Sequence, residues 1–356
     1  MDSQNIKKII EAAIQAPSGD NVQPWKLEVS GDWRTLVIFN LPELDTSYYN
    51  YRQAADYVAH GAMIENIAIA SRHIGYRLDV SLFPDEDNPN HVATIKFQAA
   101  QPEFDPLYEM IFKRSTNRFP FKNGGISAEG KRRLLDAVQA IEGVTGYFLD
   151  SRGGIKNLAK VLMVNDQLVF ERSDFHRFLF SQVRWTQQQI DSTKDGMPVG
   201  VLGLNPIEKL FFPLMRYWCM VRAANVFGLS KIIGLKCWWN IRSAAMVGQI
   251  AVKKYDRVAF LQAGRALQRV WLEATLQGMA FQPIIGLPLL VYRLRDNALS
   301  EFSSAHRKIV ADAEKELRSL SGIDSSDEWV VGFRIGLGRD VGSKTLRKTP
   351  TILGNS

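Results

Sequence analysis

Cysteine is scarce in this 356-residue chain, which contains only Cys219 and Cys237. Two cysteines cannot form the framework of a disulfide-stabilised fold, and no CxxC pair suggests a zinc site. A reducing compartment suits such a chain best, so we expect a cytoplasmic protein. The N-terminus runs from MDSQ straight into an amphipathic helix, without a basic stretch followed by an apolar one. The sequence therefore predicts no secretory signal peptide.

The usual motifs of side-chain catalysis and metal binding are also missing. The five histidines show no spacing typical of metal ligands, and no GxSxG, Walker or GxGxxG motif is found. We therefore predict neither a metal site nor a catalytic side chain. With 46% hydrophobic residues, the chain can still build a large core and a binding cleft. This combination indicates that a bound cofactor carries the chemistry.

Concentrated positive charge is absent as well. The net charge is +7, but the 44 lysines and arginines are spread along the whole chain. No helix-turn-helix, zinc-finger or RNP pattern accompanies them, so we predict no nucleic-acid partner. The charge leaves open an anionic ligand or a membrane surface.

What the chain does contain is a repeat. The stretches GAMIENIAIASRHIG (61–75) and GRALQRVWLEATLQG (264–278) have the same length, begin and end with glycine, and carry apolar residues every three or four positions. This pattern predicts two long, mostly buried helices with a glycine at each stop. NIKKIIEAA (5–13) similarly resembles GKRRLLDAV (130–138), and β-rich runs follow at 91–98 and 328–336.

The ordered recurrence predicts an α+β fold in which two copies form a pseudo-dimer, although any two amphipathic helices look somewhat alike. Each copy is expected to have a central antiparallel-type sheet flanked by helices. We assign 1–110 to the first copy and 111–356 to the second. A ligand site shared between the copies follows, because a two-fold interface creates clefts.

Two polar stretches are candidates for that site. APSGDNVQPW (16–25) ends the first helix with more short polar side chains than a simple turn needs. KRSTNRFPF (113–121) carries two arginines with hydroxyl and amide donors between them, a set that suits a phosphate group. A solvated basic loop is the alternative for the second stretch.

Two further stretches have weaker signals. In QGMAFQPIIGLP (277–288), glycine and proline mark a loop whose backbone can approach a ligand closely, although packing alone could explain it. GRDVGSKTLRKTP (338–350) is a basic tail, and it matters only if it reaches the 114–118 loop.

Together these stretches resemble the flavin-dependent nitroreductase family, and most of all its double-length, Acg-type subfamily. The family's APSxxNxQPW-like segment is complete at 16–25, and its RxSxR-like segment appears at 114–118 with threonine in place of serine. The Pro-Ile-x-Gly loop matches 283–286, and a basic pair follows the last strand. The resemblance covers nearly the whole chain except about 150–255, and it implies a nitroreductase-like fold.

The resemblance also implies FMN as cofactor and NAD(P)H as co-substrate. Arginines and a lysine would hold the phosphate, short polar side chains the ribityl chain or ring edge, and the 283–286 backbone the ring. The implied FMN-binding residues are Pro17, Ser18, Asn21, Gln23, Arg114, Thr116, Asn117, Arg118, Pro283, Ile284, Ile285, Gly286, Arg347 and Lys348. Because each copy lacks one of the two family segments, we expect one FMN per chain.

The stretch 199–255 is rich in aromatic residues, and lysines or arginines interrupt it every five to nine positions. It contains no run of about 18 apolar residues, so it should not span a bilayer. Three interpretations stay open. It is an insertion that forms a lid over the flavin, an amphipathic segment that touches an anionic membrane, or ordinary core or partner interface.

The function that the resemblance implies is an FMN-dependent oxidoreductase. It would pass electrons from NAD(P)H to a nitroaromatic, a quinone or another flat acceptor. One alternative is an FMN-storage protein whose lid closes the flavin face. Another is a pathway-specific flavin dehydrogenase of the azoline-oxidase type. The chain is expected to act as a monomeric pseudo-dimer or to pair further into a homodimer.

Overall fold

The computed structural model of this protein describes residues 2–350 and 353–354. The N-terminal part alternates helices with antiparallel strands. Its elements are α1 (Ser3–Ala13), β1 (Trp25–Val29), β2 (Thr35–Asn40), α2 (Ala54–Ile74), β3 (Tyr76–Leu82), β4 (His91–Ala99) and α3 (Leu107–Lys113).

The C-terminal part repeats this alternation around a block of extra helices. It begins with α4 (Ala128–Gln139), β5 (Val144–Leu149), α5 (Arg152–Leu162), α6 (Val164–Glu171), α7 (Ser173–Ser181), β6 (Val183–Arg184), α8 (Gln187–Thr193) and β7 (Met197–Pro198). It continues with α9 (Pro206–Met215), α10 (Trp218–Asn225), α11 (Leu229–Arg242), β8 (Met246–Val252), α12 (Arg257–Leu276), β9 (Ala280–Ile284), α13 (Gly286–Arg295), α14 (Ser304–Ser321), β10 (Glu328–Gly336) and β11 (Leu353–Gly354).

The two large sheets have the same topology. The first runs in the order β1-β2-β4-β3 and the second in the order β5-β8-β10-β9, with every one of these neighbours antiparallel. In each, the long helix follows the second strand, and the third strand takes the edge position. The prediction of an α+β fold made of two fused repeats is confirmed.

The long helices begin and end where their local sequence dictates. The Asp256 side chain caps α12 by accepting a hydrogen bond from the Ala259 backbone N–H at 2.8 Å. Helix α2 stops at Gly75, whose φ of +105° lies in the left-handed region. Gly278, just after α12, has a φ of +70°. Both glycine stops predicted from the sequence are therefore present.

Helices α2 and α12 cross at the centre of the molecule and join the two repeats. A Cβ atom added to Gly61 would lie 1.9 Å from the Leu261 carbonyl oxygen, and one added to Gly264 would lie 2.0 Å from that of Val58. The two contacts are reciprocal, as a pseudo-two-fold axis requires. Residues of both sheets and both helices share one hydrophobic core.

Two of the predicted boundaries do not match the elements of the structure. The division at residue 110 falls inside α3, so the division into copies stays a proposal, with the loop after α3 as the natural place for it. The insertion predicted for 199–255 is wrong at its C-terminal end, because β8 lies within it. That strand is fully buried between β5 and β10, and it belongs to the repeat itself.

The first sheet also receives the end of the chain. Strand β11 pairs in parallel with the outer edge of β1, through Glu28–Leu353 and Val29–Gly354. The tail after β10 must therefore cross from the second repeat to the first. Among the helices described, none is long and apolar enough to cross a membrane.

Candidate functional site

Two adjoining chambers lie where the repeats meet. The larger has a volume of about 710 Å³ and a mostly apolar lining, and the smaller has a volume of about 90 Å³ and a mostly polar lining. They share Asp20, Thr116, Arg118 and Met197 in their walls. This arrangement fits a ligand with a flat apolar part and a compact polar end.

Three basic side chains from two distant segments meet in the smaller chamber. Arg114 directly follows α3, and its guanidinium donates to the Gln15 carbonyl oxygen, two residues beyond the end of α1. Arg347, on the tail, donates from Nη2 to the Ala16 carbonyl oxygen at 3.2 Å. Lys344 Nζ donates to the Phe112 carbonyl oxygen at 2.9 Å. The basic tail thus reaches the 114–118 loop, as it must if it is to contribute to the site.

Within residues 2–350, these three cations have no carboxylate that neutralises them. The Nε atoms of Arg114 and Arg347 are also buried without a hydrogen-bond partner among these residues. Burial lowers the pKa of Arg347 to about 10. Burial, together with the charge of Arg347, places the pKa of Arg114 well below its usual value. Because each cation disfavours the others, an anion in this chamber would stabilise all three.

The pKa of Lys344 is lowered in the same way, by burial first and by the Arg114 charge second. Arg114 also lies over the Trp271 ring, with its guanidinium carbon 4.4 Å from the ring centroid. This stacking holds the guanidinium plane in place while its Nε stays free. Sequence reasoning placed Lys344 in the basic tail but not among the binding residues.

The 16–25 segment has a strained backbone that is held by its own amide side chains. Asp20, Asn21 and Gln23 all have positive φ angles, of 43°, 61° and 57°. Asn21 Nδ2 donates to the carbonyl oxygens of Gly196 and Leu346, each at 3.2 Å. Gln23 Nε2 donates to the Lys194 carbonyl oxygen at 2.8 Å, and Gln23 Oε1 accepts from the Lys348 backbone N–H at 2.8 Å. These amides fasten the tail and the α8–β7 loop to the first repeat.

The structure brings most of the sequence-predicted residues to the two chambers. The smaller chamber is lined by Pro17, Ser18, Asn21, Arg114, Thr116, Arg118 and Arg347. The larger chamber is lined by Thr116, Arg118, Pro283, Ile284, Ile285 and Gly286.

Gln23, Asn117 and Lys348 lie outside both chambers, and each has another partner. The amide of Gln23 is used up between chain segments, as described above. Asn117 Nδ2 donates to the Arg339 carbonyl oxygen at 2.8 Å. Lys348 Nζ forms an ion pair with Asp195 at 2.9 Å. Gln23 and Asn117 therefore hold chain segments of the site together, whereas the Lys348 side chain pairs away from both chambers.

The larger chamber contains polar residues that the sequence did not reveal. Tyr49 donates a hydrogen bond to Asn165 Oδ1 at 2.9 Å, and a Cβ atom at Gly286 would lie 2.3 Å from the same oxygen. Burial raises the pKa of Asp166, and burial with the Asp166 charge raises that of Cys237. These residues lie in 150–255, or in a loop before α2, and no local motif marks them.

One carboxyl group lies at the junction of the chambers. Burial, followed by the charge of Asp45, raises the pKa of Asp20 to about 6, while Arg118 opposes the shift. Arg118 donates from Nη1 to the Val201 carbonyl oxygen at 3.2 Å. Asp20 thus combines a place in the shared wall of the two chambers with a pKa near neutrality.

Helices α9 and α11 form one wall of the larger chamber. Most of the side chains that they contribute are apolar; the polar ones are Lys236 and Glu208, which form an ion pair at 2.5 Å, and Asn240, which donates to the Arg118 carbonyl oxygen at 3.2 Å. The apolar contributions come from Ile207, Phe211, Phe212, Met215, Ile233, Cys237 and Ile241.

Comparison with known proteins gives relatives along most of the chain, although no protein-family model matches it. An uncharacterized protein of Mycobacterium tuberculosis is 28% identical over 330 residues, or 92% of this chain. The chain spans only 45% of that relative's length. "Putative NAD(P)H nitroreductase acg" of the same species is 29% identical over 283 residues, covering 77% of this chain and 78% of that protein.

Solved structures similar to this chain include two nitroreductases. The FMN-dependent nitroreductase NfnB from Mycobacterium smegmatis, in complex with NADPH, is 13% identical and covers 68% of this chain and 94% of its own, with a TM-score of 0.38. A nitroreductase with bound FMN from Bacteroides fragilis is 13% identical and covers 71% and 98%, also with a TM-score of 0.38. The resemblance to Acg-type nitroreductases drawn from the motifs is confirmed by the sequence relatives.

Proposed function

We propose that this chain is an FMN-binding oxidoreductase that takes electrons from NADH or NADPH and passes them to a flat acceptor, such as a nitroaromatic or a quinone. The observation that carries this proposal is the cluster of three cations, unpaired within residues 2–350, beside a large apolar chamber; Arg114 is buried, Arg347 half-buried and Lys344 exposed. FMN joins a flat ring system to a phosphate. The ring system matches the larger, apolar chamber and the phosphate matches the smaller, polar one. The names of the curated relatives support the nicotinamide donor.

Different groups of residues would hold the phosphate and the ring of FMN. Arg114, Arg347 and Lys344 supply the charge for the phosphate, and the hydroxyl groups of Ser18 and Thr116 line the same chamber. The 283–286 loop lines the larger chamber at the start of α13. The first backbone N–H groups of an α-helix have no partner inside that helix, so those of α13 can face the flavin ring. Bound FMN would supply the two-electron transfer, which none of these side chains performs.

The phosphate assignment is tested by FMN affinity. We expect Arg114→Ala and Arg347→Ala each to weaken FMN binding by about 1.5–3 kcal/mol, because each removes a charge-assisted contact. The measurement is a titration followed by quenching of flavin fluorescence. Lys348→Ala is the matched control, because this tail cation is paired with Asp195 outside the chambers. Unchanged affinity in both arginine variants would refute the assignment.

The wall formed by α9 and α11 favours a second candidate function, which is storage of FMN behind a closed lid. If these helices cover the ring, a nicotinamide cannot stack on it. The FMN-loaded protein should then keep its yellow colour when NADH or NADPH is added without oxygen, yet bleach with dithionite. Rapid bleaching by either nicotinamide supports the oxidoreductase and contradicts storage.

The assembly and the location stay proposals. The crossing of α2 and α12 already joins two repeats within one chain, which supports a monomeric pseudo-dimer. A further homodimer, a cytoplasmic location and peripheral membrane contact through 199–255 are compatible with the proposed function and independent of it.

A further inference from the structure

Helices α9–α11 expose an unusual number of large apolar side chains. Phe227, Val226 and Leu210 are 88%, 82% and 73% exposed. We name the whole set the α9–α11 surface; its apolar members are Ile207, Leu210, Phe211, Leu214, Tyr217, Met220, Val226, Phe227, Ile232, Leu235 and Trp239. Soluble monomers rarely leave so many neighbouring apolar residues in water, so this surface indicates a docking site.

The apolar residues follow helical spacing. In α9, Ile207, Leu210 and Leu214 recur at intervals of three and four. In α11, Ile232 and Trp239 stand seven residues apart on one stripe, with Leu235 between them. Each helix therefore turns an apolar stripe towards solvent, in addition to the side that packs on the protein.

The charges on the α9–α11 surface have almost one sign. Five exposed basic residues accompany the apolar stripes, and no carboxylate among residues 2–350 is in an ion pair with them. The sole acidic residue between 205 and 245, Glu208, is already paired with Lys236. The five are Lys209, Arg216, Arg222, Lys231 and Arg242.

Two of these basic residues lie next to an aromatic ring. The Arg242 guanidinium carbon is 4.4 Å from the centroid of the exposed Trp239, and that of Arg216 is 5.0 Å from Tyr217. Aromatic and aliphatic side chains interspersed with cations suit the interface of a bilayer that contains anionic lipid. With 10 residues in α9 and 14 in α11, the helices are too short to span it.

A second copy of the chain fits this surface poorly. In an isologous dimer the same surface meets itself, so the five cations would face five cations. Since the surface offers no free carboxylate, that repulsion would go uncompensated. Anionic phospholipid supplies both the missing negative charge and an apolar phase.

We propose that the α9–α11 surface docks this protein on the surface of an anionic phospholipid bilayer. The apolar stripes enter the headgroup–acyl boundary, and the five cations contact lipid phosphates. The inference does not depend on the proposed oxidoreductase activity, because the surface lies outside the chambers except at Ile207 and Phe211.

Flotation of the full chain with vesicles tests this proposal. The probes are vesicles of phosphatidylcholine alone and vesicles in which phosphatidylglycerol replaces one third of it, at low and high salt. We expect binding to the anionic vesicles, weakened by salt, and little binding to the neutral ones. Absence of binding to anionic vesicles at low salt would overturn the proposal.

Two sets of variants locate the contact. Leu210→Ser with Phe227→Ser removes apolar groups that do not line the chamber, and Lys209→Gln with Arg222→Gln and Lys231→Gln removes charge. Each set should weaken binding to anionic vesicles by about tenfold or more. All five positions are exposed, so the fold should persist, and far-ultraviolet circular dichroism checks this.

Matched controls come from the first repeat. Phe104→Ser removes an apolar side chain that is 84% exposed there. Lys8→Gln with Arg77→Gln and Lys96→Gln removes three exposed cations. Binding should survive both. If the control charge variant loses as much binding as the surface variant, attraction by net charge explains the result and the proposal fails. If the surface variants convert a dimer to a monomer in sedimentation, a second copy is the occupant and the proposal fails.

Discussion

At the scale of single residues, the most unusual feature of this protein is the pair of arginines in the smaller chamber, unneutralised within residues 2–350. Arg114 and Arg347 come from segments more than two hundred residues apart, and both donate to the Gln15 carbonyl oxygen just beyond the end of α1. The turn that follows α1 thus offers carbonyl oxygens to two guanidinium groups, in place of a carboxylate. Their Nε atoms are buried without a hydrogen-bond partner among the residues that the structure describes.

A second residue-scale effect links stability to pH through Asp56. This carboxyl is buried in α2, and burial followed by the Asp45 charge raises its pKa to about 8. The folded protein therefore keeps a proton that the unfolded chain has lost. Stability must fall as the pH rises towards 8, by up to about 1.4 kcal/mol per pH unit.

His60 limits the pH range in which this effect of Asp56 can be read. Burial lowers the pKa of His60 to about 4 from an ordinary 6.5, so its contribution to stability grows with pH only below 6.5. Between pH 6.5 and 8, the free energy of unfolding should fall in the natural protein and stay nearly level in Asp56→Asn. Urea denaturation at several pH values measures this, with Asp79→Asn, an exposed position, as the control. A variant that keeps the full slope would contradict the prediction.

At the scale of elements, the crossing of α2 and α12 is the most constrained contact. Backbone of one helix lies where a Cβ atom of the other would stand, at Gly61 and again at Gly264. Neither helix can move away without opening the core that both sheets share.

The crossing predicts matched effects of two substitutions. Gly61→Ala and Gly264→Ala should each lower the free energy of unfolding by about 1–3 kcal/mol, because the added methyl group overpacks the interface. Pseudo-symmetry predicts similar losses for the two. Gly153→Ala in α5 is the control, since nothing lies within 4 Å of its added Cβ atom, and it should gain up to about 1 kcal/mol. Denaturant titration measures all three, and an unchanged Gly61→Ala protein would refute the crossing.

The sequence predicts these elements well where the signal is local. The glycine-bounded apolar repeat predicts the two long helices, α2 and α12. The arginines of 113–121 stay candidates for a phosphate site. Strand β8 was missed, because its apolar run follows directly on the aromatic-rich helices and looks continuous with them. Whether a buried run pairs as a strand depends on its neighbours β5 and β10, which lie far away in sequence.

At the scale of the whole molecule, long-range contacts explain why some predicted site residues lie outside the chambers and why Lys344 lies inside. Gln23 and Asn117 look like ligand-binding amides, but distant carbonyl and N–H groups use their hydrogen bonds. Lys344 joins the chamber because the tail returns to the first sheet through β11. No local pattern encodes these long-range partners, so a sequence can identify the segments of a site without assigning every side chain its role.

The two repeats differ at the position of Gly286, and this difference bears on the number of FMN molecules that the chain can bind. In the second repeat, Gly286 stands eight residues after the helix stop at Gly278, and Phe83 stands eight residues after Gly75 in the first. The Phe83 ring is buried, lies 5.4 Å from the Tyr57 ring, and has the Arg257 guanidinium carbon 4.4 Å from its centroid. Counted from the helix stops, the position of Gly286 in the second repeat therefore corresponds to a buried, packed aromatic side chain in the first.

We consequently expect one FMN per chain. The measurement is the absorbance of flavin released from the saturated protein, compared with protein concentration by amino-acid analysis. The variant that combines Arg114→Ala with Arg347→Ala discriminates further. If one site exists, the FMN retained through gel filtration should fall close to zero. If a pseudo-symmetric second site exists, half would remain, and a ratio of two in the natural protein would contradict the filling of that position by Phe83.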